Sequence, residues 1–143
     1  MPKFRLVTPI AVIATLALVG CGSGRVAPIE TISDASYGTT AFEKSKTLTL
    51  DDYGRAVVRG AATRNWVSEA VSPGHIEATN VIRGKHTVVV DIRYNTETFS
   101  INYKSSQNLN YVSATNMIHP NYNSWIRLLE ADIRSEVLKL RAS

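Results

Sequence analysis

Three histidines, His75, His86 and His119, are the side chains of this 143-residue chain best suited to hold a metal or move a proton. No two stand four residues apart, so the helical His pair of a zinc hydrolase is missing, and the single cysteine excludes a thiolate cluster. His75 and Glu77 share the parity of one strand face, but two ligands on one strand are an incomplete site. His119, directly before Pro120, fits a loop-shaping role with its ring hydrogen-bonded to a backbone carbonyl. Ser105 and Ser106 lie in a polar stretch without the G-x-S-x-G turn that would expose a nucleophile, and Gly54, Gly60, Gly74 and Gly84 are too far apart for a phosphate-cradling loop. These observations predict no catalytic residue, no metal and no cofactor, and the chain reads as a non-enzyme.

Residues able to bind rather than react are easier to name. Asn108 and Tyr111, in the polar loop 105–111, offer an amide and a stacking ring, and Trp66 falls outside the regular periodic segments, as an exposed anchor would. Val81 and Val89 fall on the otherwise polar parity of their strands, where an apolar side chain is free to meet a partner.

The elements that position these residues follow from periodicity. Thr49-Leu50-Asp51-Asp52 combines an N-cap with acids in a first turn, and Tyr53, Val57 and Ala61 continue an apolar stripe, so a helix runs to near Asn65. Gly54 and Gly60 within it point to a close approach to a sheet. After the breaker Ser72-Pro73-Gly74, three segments alternate with period two: Ile76, Ala78 and Ile82; Val88, Val90, Ile92 and Tyr94; Phe99, Ile101 and Tyr103. Beyond His119-Pro120, apolar residues from Tyr122 and Trp125 to Leu140 recur at threes and fours, the mark of a second helix with Trp125 on its buried stripe. The expected fold is α+β: a two-layer α-β-β-β-α domain, residues 47–143, with a three-stranded antiparallel meander and both helices on one face.

The N-terminal part reads as an address. Lys3 and Arg5 precede the apolar run Leu6–Val19, long enough for a secretory signal and too short for a membrane span. The run closes on Leu18-Val19-Gly20-Cys21, which resembles the lipobox of bacterial lipoproteins. That resemblance implies removal of residues 1–20, lipidation of Cys21, and a lasting membrane anchor, since one acyl chain alone binds only reversibly. Neither Gly22 nor Ser23 is the aspartate that retains such proteins in the inner membrane, so the resemblance points to the outer membrane with the domain in the periplasm. Residues 21–46 are then the anchor and a flexible Gly/Ser/Thr-rich tether with a reach of roughly 25–30 Å. Loss of Lys3 and Arg5 lowers the 16 bases to 14 against 12 acids, without a basic stripe, which argues against a nucleic-acid partner.

Segments Arg64-Asn65-Trp66, Pro73-Gly74-His75-Ile76, His86-Thr87-Val88-Val89-Val90, Tyr103 to Leu109 and Ile118 to Trp125 resemble small Gram-negative lipoproteins that end in a "YNxW" helix. The resemblance covers residues 47–140 and implies the anchor and the α-β-β-β-α order. It supplies no catalytic residue, and where a glycine commonly precedes the tryptophan this chain has Asn65. The expected function is an accessory or binding module for another envelope protein, or for a second copy of itself, through a sheet edge. The second reading is a module that binds peptidoglycan or another periplasmic glycan through Asn108, Tyr111 and nearby aromatics.

Overall fold

The computed structural model describes residues 25–39 and 46–143; the signal segment, Cys21 and the remainder of the expected tether lie outside the described residues. Among the described residues, seven strands and two helices follow in chain order: β1 Ala27–Pro28, β2 Ile32–Ser36, α1 Leu50–Ala62, β3 Val67–Ser72, β4 His75–Ile82, β5 His86–Tyr94, β6 Thr98–Gln107, β7 Met117–Ile118 and α2 Asn121–Ala142. β2-β6-β5-β4-β3 form one antiparallel five-stranded sheet, and β1 and β7 pair as a separate two-stranded one. The expected three-stranded meander is therefore corrected: β4, β5 and β6 are the middle of a larger sheet.

The added strands have identifiable physical causes. β2 and β1 fall in the stretch expected to be a tether, where apolar residues are sparse, yet Ala35 and Tyr37 are buried and Ile29 and Ile32 pack on the core. Tyr37 stacks on Phe99 and Tyr53 (centroids 5.1 and 4.7 Å), and its hydroxyl donates to the carbonyls of Asn95 and Thr98 at 2.9 and 3.1 Å. β3 precedes the Pro-Gly breaker, in a stretch outside the expected elements: its exposed residues Val67 and Val71 are apolar, while Ser68 and Ala70, opposite Ala78 and Ile76 of the inner face, are small. Its hydrophobic alternation is thus the reverse of a buried strand's.

The inner face of the sheet, Ile76, Ala78, Val88, Val90, Ile92, Phe99 and Ile101, joins both helices in one core. α1 begins at a capping box: the Thr49 N–H donates to the Asp52 carboxylate (2.8 Å) and the Asp52 N–H to the Thr49 hydroxyl (3.3 Å). It ends where Asn65, at φ 62°, takes the left-handed conformation and Trp66 N–H returns to the Ala61 carbonyl at 3.1 Å. Asparagine is the residue after glycine that best tolerates this geometry. Gly60 allows close approach to the other helix rather than to the sheet, for a Cβ there would lie 2.8 Å from the Ile133 Cα. Turning the chain from β3 to β4, Gly74 at φ 79° has no room for a side chain beneath the Tyr94 carbonyl. No helix among the described residues is long and apolar enough to cross a membrane.

Candidate functional site

The outer face of the sheet carries no helix. Cross-strand neighbours there are polar: Glu69, Glu77 and Asp91 stand in register on β3, β4 and β5, Lys104 pairs with Glu77, and His75 Nε2 donates to Asp91 Oδ1 at 2.6 Å. His75 is thereby satisfied by a neighbouring carboxylate, and its expected companion Glu77 by a lysine. No group of three His, Cys, Asp or Glu side chains among the described residues is arranged to hold a metal. Val81 is 57% exposed on this face, whereas Val89 is half-buried between Thr79 and Ser105.

Two of the expected binding residues are occupied internally. The Asn108 side-chain amide donates to the Lys85 carbonyl at 2.7 Å, and the Asn108 carbonyl accepts from His86 Nδ1 at 2.8 Å, which fastens the β4–β5 turn to the strand end. The Tyr111 ring leans on Tyr103 (4.5 Å) and is only marginally exposed. Trp66 is corrected outright: at 3% exposure it is a core residue below the end of α1 and not an exposed anchor. Its position just after a helix, outside any stripe, hid this, because burial there comes from the chain folding back under Asn65. Trp125 departs in the other direction, being half-buried and packed on the core with part of its ring open. His119 holds the backbone as expected but with opposite polarity: its Nδ1 accepts from the Asn121 N–H at 3.2 Å.

The YNxW residues divide the labour at the start of α2. Tyr122 is fully buried edge-on to Tyr103, and burial pushes its phenol above the usual range. Asn123 clamps β1, accepting from the Glu30 N–H (3.0 Å) and donating to the Pro28 carbonyl (2.9 Å), while Arg127 pairs with Glu30 at 2.7 Å.

The surface the sequence did not reveal is the margin between α1 and β3. β3 is hydrogen-bonded to β4 on one side and is the edge of the sheet on the other. Val67 is 74% and Val71 54% exposed. A cavity of about 520 Å³ runs along this edge, walled by Leu50 and Asp51 of α1, Ala70 and Val71 of β3, and Tyr94. A second, of about 310 Å³, continues it along Val58 and Ile76. Leu50 and Val58 lie off the buried stripe of α1 and are partly exposed, a second apolar flank on this helix. Chemically the margin offers main-chain donors and acceptors beside a largely apolar trough with the Asp51 carboxylate at its wall. Comparison of the chain with protein-family models, with curated proteins and with solved structures returns no match.

Proposed function

We propose that the protein is a non-catalytic capture domain of the cell envelope, held at the outer membrane by lipidated Cys21, that binds an extended segment of another envelope protein along β3. The observation that supports this reading is the free edge of β3 running beside the trough between α1 and β3. An added strand gains main-chain hydrogen bonds from the edge, and its alternate side chains drop into the trough, which supplies the specificity that backbone pairing lacks. Natural sheets commonly protect edges with several charges, proline or a covering loop, whereas β3 exposes Val67 and Val71 with one charge, Glu69, and a bulge between Ala70 and Ser72.

The test is site-specific photocrosslinking in intact cells, with the reactive group at Val71 and, as control, at Lys139 on the exposed flank of α2. A discrete product at 71, absent at 139 and lost in Val67→Lys, is expected. A peptide copied from the crosslinked segment should then slow amide exchange across residues 67–72. Equal products at both positions, or none at 71, would rule the edge out.

A further inference from the structure

At the opposite end of α1 from the β3 trough lies a groove of different chemistry. The tip of the β4–β5 hairpin, the end of α1 and the start of α2 enclose two adjoining cavities of about 300 and 520 Å³ that share Ile82, Arg83 and Trp125 as walls. We infer that this groove binds a saccharide ring that carries a carboxylate.

Charge is the first argument. No aspartate or glutamate lines either cavity, while Arg64 and Arg83 both do. Arg64 is already paired with Asp132 at 2.7 Å, but Arg83 has no ion-pair or side-chain hydrogen-bond partner among the described residues. It is an uncompensated guanidinium, the group suited to a carboxylate by its forked donors. The start of α2 adds to the same sign, for Pro120 at its N-cap makes no side-chain cap and the first turn holds no acid.

Hydrogen-bonding polarity is the second. His86 Nδ1 faces the Asn108 carbonyl and so carries the proton there, the tautomer whose Nε2 is an acceptor. His119 Nδ1 accepts from the Asn121 N–H, so its proton sits on Nε2, a donor. Backbone partners thus fix the two imidazoles of one cavity in opposite tautomers, one to give and one to receive. Sugar hydroxyls are both donors and acceptors and are matched by such a pair; a phosphate ion, which at neutral pH is chiefly an acceptor, is not.

Shape is the third. The half-buried Trp125 lines both cavities and the buried Leu109 lines the first, which gives the groove an apolar wall. A pyranose has an apolar face that such a ring covers, whereas a small inorganic anion leaves it unused.

The probe is N-acetylmuramic acid, compared with N-acetylglucosamine, which differs only in lacking the lactyl carboxylate ether, and with inorganic phosphate. Indole N–H resonances of the intact protein report binding, and Trp125→Phe assigns the two signals. The acid sugar is expected to shift the Trp125 signal saturably, with the neutral sugar about tenfold weaker or worse, the loss typical of one charged hydrogen bond. Arg83→Gln, at an exposed turn, should erase that difference while leaving the melting midpoint in place. Equal affinity for both sugars, phosphate shifts matching those of the acid sugar, or no shift at tens of millimolar sugar would each overturn the inference. These readouts do not involve β3, so the two sites stand or fall separately.

Discussion

At the scale of single residues, the capping box of α1 links sequence to pH response. The Thr49 backbone N–H, then its hydroxyl, then Arg55 hold the Asp52 carboxyl down at about 2. Its folded value lies below its unfolded one, so the stabilisation is fully present above about pH 4 and fades as pH falls from there to about 2, where both states are protonated. The melting midpoints of the parent and of Asp52→Asn should therefore converge across that window. Thr49→Ala should cost about 0.5–2 kcal/mol at neutral pH. Trp66 makes a sharper test of place. Truncating a buried large aromatic costs roughly 3–5 kcal/mol, so Trp66→Ala should lower the denaturant midpoint substantially; an unchanged midpoint would mean that the ring is outside the core. The proposed anchor is also a single-residue matter, and Cys21→Ala should move the protein from the membrane fraction to the soluble one on fractionation.

At the scale of elements, the N-terminal strands are part of the domain. Besides the Tyr37 contacts, Arg141 near the end of α2 donates to the Gly38 carbonyl (2.6 Å) and to the Tyr53 hydroxyl (2.9 Å), its guanidinium 5.8 Å from the centroids of both the Tyr37 and Tyr53 rings. A fragment beginning at residue 47 would expose Phe99 and Tyr53 and leave the Asn95 and Thr98 carbonyls without the Tyr37 hydroxyl. Its stability should fall by at least the ~3–5 kcal/mol of one buried aromatic, a large share of the roughly 5–15 of a small domain. Chemical denaturation of fragments starting at 25 and at 47 checks this. The contrast also shows what was legible. The two helices and β4–β6 have strong periodicity because each buries a full face. β1, β2 and β3 are short or lie at an edge, so each is specified by one or two anchors such as Tyr37, or by the strand next to it, and a period of two has too few turns to register. The trough between α1 and β3 was invisible for the same reason, since it exists only once β3 is placed.

At the scale of the whole molecule, helices cover one face of the sheet and leave the other to a satisfied polar surface. The two proposed binding surfaces consequently lie at its rim, with the β3 trough beside the start of α1 and the Trp125 groove at its end. The groove is half written in the chain, because Ile118 to Trp125 stands out as a motif, but its other wall comes from the Arg83 turn, some forty residues away in sequence. The early start of the fold has a consequence for how any partner is met. β1 begins at Ala27, so if Cys21 is held in the lipid, as proposed, only five residues intervene, and the span from Cys21 to the first hydrogen-bonded strand is at most about 20 Å even when fully stretched. On that proposal, a leash that short would turn a volume search into a lateral one: the domain would skim the leaflet, and the molecules it sampled would be those that reach within a domain's breadth of the surface.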